Sequence, residues 1–89
     1  MNKEIEKYLT ELEAKGYSKD LRKSSERVLN NLQLYLEEAF FIKRWNEAEE
    51  KHLNSYLVHL KKYTEQKASS LRQTVSRIRR FFKWLYASN

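Results

Sequence analysis

Apolar residues recur along the chain at the three-and-four spacing of helices laid against a core, in four separate stretches. Ile5, Tyr8, Leu9 and Leu12 mark the first and predict a helix from about Asn2 to Lys15. Gly16 stops it, because a residue without Cβ enters the left-handed C′ conformation cheaply. Ser18 restarts the chain as an N-cap, its hydroxyl offered to an orphan amide. Leu21, Val28, Leu29, Leu32, Tyr35 and Leu36 then carry the stripe through a second helix of about twenty residues. Between Ala39 and Trp45 the period breaks, and the cluster Ala39, Phe40, Phe41 and Ile42 reads as a connector tucked under the bundle. Asn46 is expected to cap a third helix, with Glu49 reaching back and Leu53, Tyr56, Leu57 and Leu60 as its stripe, ending near Tyr63. A polar stretch, Thr64 to Ser69, leads into a fourth helix whose stripe is Leu71, Val75, Ile78, Phe82 and Leu85, flanked by Phe81.

Composition agrees with that pattern. The chain has 89 residues, no Pro and one Gly, whereas turn-rich β folds and long linkers draw heavily on both. A chain of this length buries only roughly 60% of its unfolded surface, so it supports one core. The expected fold class is therefore all-α, a single domain of four amphipathic helices over residues 1–89, with no internal repeat or low-complexity segment. With no Cys, the fold rests on apolar packing, as suits a reducing compartment. There is neither an apolar run long enough to span a membrane nor the apolar stretch of a signal peptide after MNKEIEKYL, so a cytoplasmic protein is expected.

Charge sharpens the picture. Acidic and basic residues cancel over residues 1–65, and the whole formal excess of +6 resides on Lys67, Arg72, Arg77, Arg79, Arg80 and Lys83. A one-sided positive field attracts polyanions and speeds their encounter, without by itself separating nucleic acid from an anionic membrane or an acidic protein.

Three segments carry a resemblance. Gly16-Tyr17-Ser18 before the second helix, Trp45-Asn46-Glu47-Ala48-Glu49-Glu50-Lys51-His52-Leu53-Asn54-Ser55-Tyr56-Leu57, and Arg79-Arg80-Phe81-Phe82-Lys83-Trp84-Leu85 near the end occur in the order and spacing of the N-terminal core-binding domain of tyrosine recombinases and phage integrases, a SAM-like four-helix fold. The similarity covers nearly the whole chain. Leu21, Ser25 and Lys67 depart from it, standing where that family usually has Thr, a core Tyr and Ser. The resemblance implies a non-catalytic half of a clamp that lays its second and fourth helices on duplex DNA. Cleavage and rejoining would belong to a separate C-terminal domain encoded beyond Asn89, and other recombinase protomers on the same DNA would be further partners.

A helical wheel centred on Leu71 turns Gln73, Ser76, Arg77 and Arg80 away from the core, and Ser69, Ser70 and Arg72 open the same helix, where free amides and the positive dipole end favour a phosphate. On the second helix Lys23, Arg27 and Asn30 form the outward stripe, with Lys19 near its start. The candidate DNA-binding set is therefore Lys19, Lys23, Arg27, Ser69, Ser70, Arg72, Gln73, Arg77 and Arg80. Arg and Gln can read guanine and adenine edges, while Lys and Ser more often hold the backbone. Two rival readings remain: a solvated charged face, and an interaction module whose basic helix takes an acidic protein. Arg79 to Trp84 also fits a headgroup interface, although Phe82 and Leu85 extend the core stripe. Trp84 projects toward the polar side, to pack on a neighbouring helix or meet another domain.

No metal, cofactor or catalytic group is expected. His52 and His59 lie seven apart, about 10 Å along a helix, too far to share a metal directly, and the Glu49–His52 spacing of di-iron bundles has no second copy. Tyr8, Tyr35 and Tyr56 fall on core stripes without an activating Arg and His, and Ser24, Ser25, Ser69 and Ser70 lack a His and Asp arrangement.

Overall fold

The computed structural model describes residues 2–64 and 67–87. The helices are α1 (Asn2–Ala14), α2 (Lys19–Phe40), α3 (Glu50–Tyr63) and α4 (Ala68–Ala87), with a 3-10 turn at Trp45–Glu47 between α2 and α3. α2 and α4 form the centre: each packs on the other and on both outer helices, while α1 and α3 flank the pair without touching each other. Every described strand position is empty, so the all-α expectation holds across the described residues.

The first helix ends and the second begins where the sequence places them. Gly16 takes φ +79°; its N–H donates to the Glu13 carbonyl and that of Tyr17 to the Leu12 carbonyl, the paired bonds of a Schellman motif. A Cβ on Gly16 would meet open space, so the requirement for glycine is purely conformational. Ser18 caps α2 by accepting from the Leu21 N–H at 3.2 Å.

The linking segment departs from expectation. α2 runs on through Ala39 and Phe40, and Phe41 closes it in a left-handed conformation at φ 56°. Of the cluster Ala39 to Ile42, Ile42 alone is buried. The core anchors of the link are Ile42, Trp45 and Ala48, spaced by three as suits its 3-10 turn. Asn46 therefore lies inside that turn and does not cap α3. Ala48 is extended and Glu49 is the N-cap, its N–H donating to His52 Nδ1 at 2.9 Å.

One core joins all four helices. Ile5, Tyr8 and Leu12 of α1 meet Val28, Leu29, Leu32 and Leu36 of α2, Tyr56 and Leu60 of α3, and Ile78, Phe81 and Phe82 of α4. Leu9, Leu53, Leu57, Leu71 and Leu85 are half-buried around it. Trp45 seats its ring on Phe81 (4.9 Å between centroids) and Phe82 (5.7 Å), and Tyr8 meets Phe81 edge-on at 5.3 Å. Trp84, whose direction the sequence leaves open, packs against Tyr8 of α1 at 5.3 Å. α4 thus buries Thr74, Ile78, Phe81 and Phe82, so its inward face is rotated from Leu71 and Val75 toward the Thr74 and Phe81 side.

Candidate nucleic-acid interface

That rotation decides where the polar residues of α4 go. Ser70 and Gln73 face α2 across a groove of about 430 Å³, whose other wall is Ser24, Arg27 and Asn31, with Tyr56, Leu60 and Thr64 from α3 and its C-cap lining it as well. Arg27, Ser70 and Gln73 are thereby brought together, all exposed, on two helices that share the core cluster containing Val28, Leu32 and Ile78. Ser24 and Asn31 join this surface, whereas the helical phase predicts an outward stripe through Asn30. Their signal was present: Ser24, Arg27 and Asn31 form a polar row at i, i+3 and i+7, immediately beside the buried row Ser25, Val28 and Leu32.

The other candidates lie around this groove and not in it. Arg80 is held over the Tyr17 ring, its guanidinium carbon 5.0 Å from the centroid, which fixes one end of the basic face against the α1–α2 link. Arg77 does not point freely outward: it is half-buried, its Nε is covered without a partner, and it lies near enough to Tyr8 to act on it electrostatically. Lys19 and Lys23 line a separate shallow groove between α1 and α2 beside Glu13 and Glu26, which temper their field. Ser69 is exposed in the first turn of α4. Arg72 lines a third groove, between α3 and α4, with Lys61 and Arg79.

Tyr8, Tyr56, His52 and His59 are engaged in packing. Burial pushes the Tyr8 phenol above its ordinary value, against the opposing pull of Arg80 and Arg77, and burial likewise raises Tyr56. Both shifts run opposite to what activates a tyrosine nucleophile. His59 stacks between Tyr35 (4.9 Å) and Tyr63 (5.0 Å), and His52 meets Phe40 at 4.7 Å. Among the described residues no cluster of three His, Cys, Asp or Glu side chains is arranged to hold a metal ion, and no helix is long and apolar enough to cross a membrane.

No characterised protein and no solved structure shows significant similarity to the chain. A family model does match, over residues 5–89, and it describes the N-terminal SAM-like domain of phage integrases, a domain distinct from the catalytic one. Four helices, the Gly16 stop, the Ser18 cap and an α4 closing on Phe81 and Phe82 are what that match spans, and the chain belongs to the phage integrase N-terminal SAM-like domain family.

Proposed function

We propose that this chain is the DNA-clamping domain of a tyrosine recombinase, laying α2 and α4 on duplex DNA while another domain of the same protein cuts and rejoins strands. Family membership supplies DNA and sister domains as partners; the observation that carries the choice of face is the groove in which Arg27 of α2 meets Ser70 and Gln73 of α4. Helix α4 carries an excess of cations and no acid, so its approach to a polyanion is favourable over its whole length. In this reading Gln73 reaches toward base edges, while the half-buried Arg77 adds positive charge beside it. Lys19, Lys23, Arg27 and Arg80 hold phosphates, Ser69 and Ser70 serve the phosphate nearest the start of α4, and Arg72, on the α3 side of that helix, adds to the positive field there. A domain that acts on DNA in this way works in the cytoplasm, and it needs neither metal nor cofactor for binding.

Amide shift mapping during titration with duplex DNA at low salt tests the face. Half of a clamp binds weakly, and low salt is where each phosphate contact contributes most. Perturbations are expected at residues 18–27 and 67–80. Shifts confined to α1 and α3 would overturn this interface even if binding occurred.

A further inference from the structure

Arg80, exposed on α4, is held by a ring and not by an acid. Its guanidinium carbon lies over the Tyr17 ring, 5.0 Å from the centroid, within the reach of a cation–π attraction. Among the described residues no carboxylate pairs with it, whereas nearby Lys15 and Arg22 are paired with Glu11 at 3.2 Å and Glu13 at 3.6 Å. The difference is chemical. A carboxylate occupies guanidinium N–H groups with directional hydrogen bonds, but a ring face attracts the charge without accepting them as an oxygen does, so they stay available to a phosphate. Tyr17 in turn has little freedom. Its N–H donates to the Leu12 carbonyl at 3.0 Å, Gly16 before it closes α1 at φ +79°, and Ser18 after it caps α2. At 39% exposure the ring contributes far less to the core than Tyr8 or Tyr56, so packing alone does not account for it.

We infer that Tyr17 is a positioning residue whose ring pre-orders the Arg80 side chain for a DNA phosphate, an assignment that rests on the DNA reading above, in which Arg80 holds a phosphate. A long basic side chain surrenders much rotamer freedom when it grips a ligand. Tyr17 removes part of that freedom in the free protein already, from a backbone fixed on both sides. Immobilising one such side chain at an interface opposes binding, and sparing that cost is worth roughly two- to tenfold in affinity. Tyr17 carries no charge, so it raises affinity without adding a displaced counterion, and the salt dependence of binding stays with Arg80. The α1–α2 link thereby becomes part of the DNA face through a residue that a search for basic side chains passes over.

Two measurements test it, one of them without DNA. In the free protein the ring current of Tyr17 should move the Arg80 side-chain proton resonances upfield. Tyr17→Leu, which keeps an apolar side chain but no ring, should return them toward those of a solvated arginine, and Tyr17→Phe should not. Both positions are exposed, and the dispersed amide spectrum of each variant reports that it is folded. In duplex binding at low salt, Tyr17→Leu should weaken affinity roughly two- to tenfold with the slope of log affinity against log salt unchanged, and Tyr17→Phe should retain the parental affinity. Arg80→Ala should weaken binding and flatten that slope by about one unit. In the Arg80→Ala background Tyr17→Leu should cost nothing further, since it acts through Arg80. Additive losses, or Arg80 resonances indifferent to Tyr17→Leu, would overturn the inference and leave the DNA reading standing. An Arg80→Ala variant that binds like the parent with the same slope would overturn the phosphate role of Arg80 and the inference with it, and a parent chain that binds no duplex would overturn the DNA reading itself.

Discussion

Two residues in the left-handed region end two of the four helices, and they are opposite cases. Gly16 occupies φ +79° with nothing near its missing Cβ, whereas Phe41 carries a full side chain at φ 56° and leaves its ring in solvent. The left-handed region costs a residue with Cβ about 1–2 kcal/mol. Gly16→Ala should accordingly destabilise the domain by about 1 kcal/mol through backbone strain alone, and Phe41→Gly should stabilise it by a similar amount, since little buried contact is lost with the ring. Denaturant titration of both variants checks the pair. A stability loss on Phe41→Gly would mean that the ring supports the fold after all. Gly16 was legible because its residue type carries the conformation; Phe41 was not, because nothing in an aromatic residue's identity announces a left-handed backbone.

At the scale of elements, the helices were readable where a regular period meets a recognisable cap. Ser18 and the Val28-to-Leu36 stripe placed α2 from its first turn, and only its end ran further than the broken period suggested. The link escaped because its anchors Ile42, Trp45 and Ala48 repeat every three residues through a 3-10 turn, a spacing invisible to a search at 3.6. The same limitation hid the depth of Phe81. A stripe centred on Leu71 makes it a flanking residue, but Trp45 arriving from the link draws α4 round until Phe81 is fully enclosed by Tyr8, Trp45, Trp84 and Phe82. Truncating a buried Phe costs about 3–5 kcal/mol, a large part of the roughly 5–15 kcal/mol available to a domain. Phe81→Ala should fall at the upper end of that range and Phe82→Ala, which keeps some exposure, at the lower end. Thermal melts that ranked the two in reverse would contradict the rotated α4 packing.

For the whole molecule, the fold positions its charge more selectively than the sequence could tell. Residue type and helical phase point to nine candidate contacts, and three-dimensional packing divides them: Arg27, Ser70 and Gln73 share a groove, Lys19 and Lys23 sit beside acids, Arg72 turns toward α3, and Arg77 is half-buried. Phase errors of one helix, compounded across two, are enough to move a side chain from one groove to the next, so this sorting was out of reach of any single stripe. It also changes how the DNA reading is best tested. Arg77→Ala would remove packing as well as charge, so its loss of binding mixes two effects. Gln73 is exposed, and its amide can pair with an adenine edge without supporting the core. If α4 lies in the major groove, Gln73→Ala should lose roughly 1–3 kcal/mol against a site selected from random duplexes, and far less against unselected DNA. Lys23→Ala should instead weaken both alike and flatten the dependence of log affinity on log salt by about one unit, because it removes a phosphate contact and its displaced counterion. Binding isotherms at several salt concentrations read both quantities at once. If Gln73→Ala weakened all duplexes equally, with the salt slope unchanged, the groove between α2 and α4 would hold DNA without reading it, and sequence preference would have to come from another domain of the parent protein.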